Sequence, residues 1–188
     1  MKKLIAIAIF CLSTMFAEAQ SFDGVPISGD LPTAVSRFKE RGYKVKSYME
    51  HGVIMTGKVS LWNVEIFVFT TPRSKKVFKI SVYLPEETSW YSLKKTYNMM
   101  LNIMKEKYGV PSAIREEFLA PYEEGDGYEM SAVKNEKVQF FGLWIMESKN
   151  MNVAVEISKY QQVQLTYEND ELMKVKEREQ ASLNSMSF

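Results

Sequence analysis

The chain has 188 residues, with 24 basic and 23 acidic side chains, one histidine and one cysteine. This charge balance disfavours binding to nucleic acid or to an anionic membrane, because such binding relies mainly on a basic patch. One histidine and one cysteine also exclude a disulfide within the chain and a zinc site of the Cys/His type. The length suits a single domain with a hydrophobic core of its own.

The first nineteen residues have the pattern of a secretory signal peptide. Residues 1–3 are basic, residues 4–16 are apolar, and residues 17–19 (Ala-Glu-Ala) are suited to signal peptidase. A membrane anchor is the alternative, but the apolar run is shorter than the about 20 residues that span a bilayer, and no later segment is more apolar. We therefore expect an exported protein, periplasmic or extracellular, that begins at Gln20 and loses Cys11 with its leader.

The first half of the mature chain predicts one short helix followed by three strands. Residues 20–30 are rich in Gly, Ser, Pro and Asp and predict a lead-in segment. Asp30 is a suitable N-cap for a helix over residues 31–41, and Gly42 follows its end. Alternating and β-branched residues then predict strands at residues 53–59, 64–70 and 77–84.

The second half begins with the strongest pattern of the sequence, a helix over residues 89–108. Its apolar residues recur every three or four positions, and Gly109 and Pro111 follow in the order typical of helix C-termini. Residues 171–188 predict a charged C-terminal helix or a frayed tail. Four further strands are predicted at residues 129–134, 138–146, 153–158 and 162–167.

The element order is α-βββ-α-ββββ, which predicts an α+β fold. Short turns between consecutive strands favour a mostly antiparallel sheet, with the two helices on one face. Residues 38–43 and 104–109 are similar and lie at matching helix ends, which suggests an internal α/β repeat. We expect one domain over residues 20–170.

Two short motifs carry a resemblance to known proteins. Residues 107–111 (Lys-Tyr-Gly-Val-Pro) close the long helix, and residues 125–129 (Gly-Asp-Gly-Tyr-Glu) follow it. With this element order the chain resembles an uncharacterised family of small secreted proteins from Bacteroides-type gut bacteria. The architecture is also similar to β-lactamase-inhibitor-protein-like, PepSY-like and BamE-like modules. Neither resemblance implies catalytic residues; both imply a binding or inhibitory role.

No catalytic, cofactor-binding or metal-binding residue is predicted. His51 precedes a glycine in a turn-like setting and lacks the partners that a general base requires. Gly-x-Ser-x-Gly and phosphate-binding glycine motifs are absent. The acidic segment 123–129 predicts a solvated loop. A weak cation site, or a hydrolytic pair formed by Asp126 and Glu129, is the alternative.

Two predicted strands, residues 64–70 and 138–146, are apolar on both faces. A sheet face open to water should be polar, so the outer faces of these strands are either covered or used for recognition. We expect aliphatic side chains beneath the helices, which places a candidate binding face on the far side. Its residues are Phe67, Phe69, Phe140 and Trp144.

These observations predict an exported binding module without catalysis. Its partner would be a protein or peptide, and an enzyme inhibitor is one version of this function. An envelope glycan hydrolase that uses acidic residues is one alternative. An aromatic carbohydrate-binding module is the other.

Intact-mass analysis of the exported protein tests where the predicted signal peptide is cleaved. The mass should correspond to a chain that starts at Gln20, because Ala17 and Ala19 supply the small side chains that signal peptidase requires. A lipid-modified species that retains Cys11 would contradict this assignment.

Overall fold

The computed structural model describes residues 21–185, over which the chain forms ten strands and four helices. The helices are α1 (Leu31–Glu40), α2 (Trp90–Tyr108), α3 (Glu129–Lys134) and α4 (Asp170–Ser185). The strands of the first half are β1 (Ser21–Phe22), β2 (Val25–Pro26), β3 (Lys44–Met49), β4 (Gly52–Val59), β5 (Trp62–Thr70) and β6 (Val77–Tyr83). Those of the second half are β7 (Ala113–Phe118), β8 (Val138–Met146), β9 (Met151–Ile157) and β10 (Val163–Asn169). Residues 1–19, with the predicted leader, lie outside the described part.

Strands β3 to β10 form one eight-stranded sheet in which every neighbouring pair is antiparallel. The spatial order is β3-β4-β5-β6-β10-β9-β8-β7, and β1 and β2 form a separate small hairpin. Each half of the sheet consists of four strands preceded by a helix, α1 with β3–β6 and α2 with β7–β10, and the second half also contains the short helix α3 between β7 and β8. The α+β class and the antiparallel sheet are therefore confirmed, whereas the predicted helix count and element order are only partly matched.

Helices α1 and α2 begin and end where their sequences provide caps. The Asp30 carboxylate accepts a hydrogen bond from the Thr33 amide at 2.9 Å, and the Ser89 hydroxyl accepts one from the Ser92 amide at 3.2 Å. Helix α2 ends at Gly109, whose φ of 82° favours glycine. Apolar positions along both helices are buried against the sheet: Ala34, Val35 and Phe38 of α1, and Leu93, Tyr97, Met100, Leu101 and Met104 of α2.

The core lies between these helices and one face of the sheet. Residues that pair directly across antiparallel strands point to the same face, so each cross-strand row defines one side. One row crosses six neighbouring strands, and each of its members is at most 4% exposed. It consists of Val53, Val68, Ile80, Tyr167, Val153 and Trp144. The face of this row is the helix face.

Several elements differ from the sequence-based prediction in type or existence. Residues 129–134 form helix α3 and not a strand, with Ala132 and Val133 both buried. The sequence does not predict strands β3 and β7, because polar and apolar residues do not alternate along them. They are the two edges of the sheet, and both carry charged side chains, such as Lys44 on β3 and Glu116 on β7, as edge strands often do.

The C-terminal segment forms helix α4, which contacts the central strands β6 and β10. Asn169 accepts a hydrogen bond from the Leu172 amide at 3.0 Å and so fixes the start of the helix. Further along, the Glu179 carboxylate accepts hydrogen bonds from the Arg73 and Ser74 amides in the β5–β6 turn. Helix α4 therefore continues to Ser185 and lies against the domain, in place of a frayed tail.

Two glycines of the sheet provide a matched test of this packing. A Cβ at Gly57 would lie 2.1 Å from the Tyr43 ring, whereas one at Gly142 would lie 2.6 Å from the end of the flexible Leu101 side chain and 3.3 Å from the Trp144 ring. Gly57→Ala should therefore lower the free energy of unfolding by about 2 kcal/mol, and Gly142→Ala by about 1 kcal/mol or less. Urea denaturation measures both values, and equal losses would contradict the packing.

Candidate functional site

The sheet face opposite α1 and α2 is the candidate functional site, and we call it the open face. One cross-strand row of this face crosses all eight strands of the sheet. It consists of Ser47, Ile54, Phe67, Ser81, Thr166, Ala154, Leu143 and Ala113. The row shows which side chains share the surface, because the pleat of each strand sends every second residue to the same side.

An aromatic group on β5 and β6 forms one flank of the open face. The rings of Phe67 and Phe69 are stacked, with centroids 6.2 Å apart and planes 22° apart. Phe67 also meets Tyr83 edge to face, with centroids 5.0 Å apart. All three side chains are half-buried. We call Phe67, Phe69 and Tyr83 the β5 patch.

A second apolar group lies on the other flank, along β8. Phe141 and Leu143 are half-buried, and Ile145 is 52% exposed. Their partners on β9 are Glu156, Ala154 and Asn152, so the group borders polar side chains. We call Phe141, Leu143 and Ile145 the β8 patch.

Polar side chains of the central strands separate the two patches. The Lys79 ammonium lies 2.9 Å from the Glu168 carboxylate, and both side chains are more than two thirds buried. Next to this pair, the Ser81 and Thr166 hydroxyls are 3.5 Å apart. The Gln164 amide also donates a hydrogen bond to Thr166 at 3.0 Å. The centre of the open face is thus an ordered polar strip between two apolar flanks.

Glu156 is the unusual acid of this strip. Burial raises its pKa above the ordinary glutamate value, the Lys79 charge opposes that shift, and the Glu168 charge adds to it. The charged form of Glu156 is therefore disfavoured in the folded protein. Burial, followed by the Glu156 charge, also raises the pKa of Tyr83.

The structure divides the four predicted binding residues between the two faces. Phe67 and Phe69 lie on the open face, as expected. The placement of Phe140 and Trp144 is wrong, because both lie on the helix face and are at most 4% exposed. Phe140 packs edge to face against Trp90 and Tyr97 of α2, with centroids 5.0 and 5.8 Å apart.

The reason for this reversal in β8 is a set of contacts with α2 and the residue that ends it. Gly142 leaves room for Leu101 to approach the strand, since an added Cβ would lie only 2.6 Å from its side chain. The Trp144 indole donates a hydrogen bond to the Gly109 carbonyl at 2.9 Å, so its one polar atom is satisfied inside the core. The residues that sequence reasoning missed are consequently Phe141, Leu143 and Ile145, which occupy the alternate positions of the same strand.

Carboxylates of the acidic segment 123–129 accept hydrogen bonds from backbone amides of the same loop. Asp126 accepts hydrogen bonds from the amides of Glu123 and Tyr128, and Glu129 accepts one from the Gly125 amide. Glu124 binds the Lys94 ammonium and the Trp90 indole, and these hydrogen bonds lower the pKa of its carboxyl. In residues 21–185, no group of three or more His, Cys, Asp or Glu side chains is placed to hold a metal ion.

His51 lies in the turn between β3 and β4, away from the open-face row. Its ring is 3.3 Å from the Lys75 ammonium and 3.5 Å from the Glu50 carboxylate, and its side chain is 36% exposed. These contacts are those of a turn histidine at the surface.

Comparisons with protein-family models, curated proteins and solved structures find no match to this chain. Within the described segment, no helix is both long enough and apolar enough to cross a membrane.

Replacing Glu156 tests the electrostatics of the polar strip. Because the pKa of Glu156 is raised on folding, the native state holds this proton more tightly than the unfolded chain, and stability falls as the pH rises through the raised value. Glu156→Gln should therefore have a higher Tm than the wild type at neutral pH. The difference should shrink as the pH falls toward 4.5, the ordinary glutamate value.

Thermal unfolding at a series of pH values makes this comparison, with Glu106→Gln on the exposed side of α2 as the matched control. The control should show no such pH-dependent gain. A Tm below that of the wild type at neutral pH for Glu156→Gln would contradict the account.

Proposed function

We propose that this is an exported, non-catalytic module that binds a protein or peptide partner across the open face. The observation that carries the proposal is the uneven coverage of the sheet. Helices α1 and α2 pack on one side, whereas apolar side chains of the β5 and β8 patches stay partly exposed on the other. Exposed apolar groups that share one surface are typical of sites that a partner covers.

The layout of the open face also supports a partner larger than a small molecule. The two patches are centred on β5 and β8, and β6, β10 and β9 lie between these strands, so one ligand that touches both patches must span several strands. Neighbouring strands are about 4.8 Å apart, which makes that span a protein or peptide dimension. The polar strip between the patches would set the orientation of the partner, since Lys79 and Glu168 present both signs of charge.

A carbohydrate is the second candidate ligand. The Phe67 and Phe69 rings are within 22° of parallel, an arrangement that suits a ligand with flat apolar faces. Against a glycan hydrolase stand the contacts of Asp126 and Glu129, whose carboxylates hold backbone amides of their own loop. These contacts support a binding function over hydrolysis.

Site-specific photo-crosslinking in the producing cell tests the proposal. A photoreactive phenylalanine at Ile145 on the open face should crosslink the exported chain to one defined protein. The same group at Tyr91, which is 75% exposed on α2, is the matched control and should give no such product. Equal products from both positions, or none from Ile145, would contradict the protein-partner proposal, and a glycan array then tests the carbohydrate alternative.

Once the partner is purified, Phe67→Ala measures the contribution of the β5 patch. Aromatic anchors often dominate binding energy, so we expect a loss of about 2 kcal/mol, or about thirtyfold in Kd. Tyr91→Ala should leave Kd unchanged. Trp144→Ala is unsuitable as a probe, because Trp144 is buried in the core and its loss would destabilise the fold.

A further inference from the structure

Strand β7 presents a free edge at the end of the sheet. Its only sheet neighbour in the described chain is β8, and its first five residues are exposed. The Leu119 amide donates to the Lys137 carbonyl at 2.8 Å, in register with the β7–β8 ladder. Hydrogen-bonded and non-hydrogen-bonded pairs alternate along antiparallel strands. The backbone groups of Ala113, Arg115 and Glu117 therefore form hydrogen bonds with β8. The backbone groups of Ile114, Glu116 and Phe118 therefore point outward.

The opposite edge of the sheet, β3, is poorly suited to pairing with a strand of another chain. Its pairing with β4 is interrupted by an irregularity between Val45 and Ser47. It also presents Lys44 and Lys46, so two copies of β3 would bring like charges together. Any regular edge-to-edge pairing of this sheet is accordingly expected at β7.

We propose that a second copy of this chain pairs antiparallel with β7, with the two-fold axis at Glu116. This register uses the outward backbone groups of both copies. It places Ile114 opposite Phe118 of the second copy, and Arg115 opposite Glu117 of the second copy. The pairing joins two eight-stranded sheets into one continuous sheet.

The side chains of β7 are complementary to themselves in this register. Arg115 and Glu117 are 54% and 51% exposed and lie 3.5 Å apart within one chain. The Arg115 guanidinium also donates a hydrogen bond to the Gln139 side-chain oxygen, so its contact with Glu117 of the second copy adds to these bonds or replaces them. The two-fold axis doubles the contact, giving two Arg–Glu pairs on the open-face side. Opposite charges placed directly across a strand pair stabilise it.

The other side of the strand adds apolar contact. Ile114 is 47% exposed and lines a cavity of about 440 Å³ together with Lys105, Gly109, Val110 and Pro111. Phe118 of the second copy pairs with Ile114 in the proposed register, and its ring keeps its contacts with Trp90 and Phe140 of its own chain. Only Glu116 meets a like charge, its own counterpart across the axis, so neutralising it should strengthen the dimer.

Sedimentation equilibrium of the exported protein over a concentration series tests the proposal. The wild type should be a monomer–dimer system with no larger species. Arg115→Glu and Glu117→Arg should each raise the dimer Kd by about tenfold or more, because attraction becomes repulsion at two positions. Mixed in equal amounts, the two variants should form a heterodimer, since an acidic edge then faces a basic one.

Two further variants keep the test decisive if either charge reversal impairs folding. Glu116→Gln should lower the dimer Kd, and Lys44→Glu on the opposite edge should leave it unchanged. A wild type that stays monomeric, an assembly larger than a dimer, a failure of the mixed variants to associate, or a dimer weakened by Lys44→Glu would each overturn the proposal. None of these results bears on the open face, so the proposed function is tested separately.

Discussion

Strands β6 and β10 pair antiparallel over five residues, and within residues 21–185 this is the only strand pairing that joins the two halves of the sheet. Each half contains four strands preceded by a helix, and a four-stranded sheet alone would leave an edge at β6 or β10. Joining these edges places both strands at the centre, with Ile80, Val82, Leu165 and Tyr167 buried on the helix face. The same pairing brings Lys79 to Glu168 and Ser81 to Thr166 on the open face.

The two faces of this sheet are consequently under different constraints. On the helix face, aromatic and aliphatic side chains are buried by α1, α2 and the N-terminal hairpin. On the open face, a buried central strip requires partners for its polar atoms, and its hydroxyl, amide and charged groups provide them for one another. The apolar flanks have no equivalent requirement and remain partly exposed. The proposed binding function follows from this difference.

Much of the architecture could be predicted from local sequence patterns. The spacing of Leu93, Tyr97, Leu101 and Met104 predicts α2. Alternation in β4 and β6, and the β-branched and aromatic residues of β5, predict these three strands. Edge strands β3 and β7 could not be predicted in this way, because polar and apolar residues do not alternate along them and the periodic signal is absent. Helix α3 was taken for a strand because six residues are too few for a helical period to be distinct from a strand-like one.

Only part of the candidate site could be predicted from the sequence, because the alternation of side chains does not show which face of a strand meets a helix. Alternation determines that Phe140 and Trp144 share one face of β8 and that Phe141 and Leu143 share the other. It does not determine which pair faces α2. That choice depends on non-local contacts, namely the approach of Leu101 to Gly142 and the hydrogen bond from Trp144 to the Gly109 carbonyl. The sequence-based expectation was that aliphatic side chains lie beneath the helices. This expectation holds in β5 and is wrong in β8.

The central claim is that α1 and α2 cover one side of the sheet whereas the flanks of the other side stay partly exposed, and neighbouring residues of one strand test it most directly. Val153 lies on the helix face and is fully buried, whereas Ala154 lies on the open face and is half-buried. The chain after Gln20 contains no cysteine, so Val153→Cys and Ala154→Cys each introduce a single thiol. The account predicts that a thiol reagent modifies Ala154→Cys in the folded protein much faster than Val153→Cys. Equal protection of both thiols would show that the open face is covered, and would contradict the account.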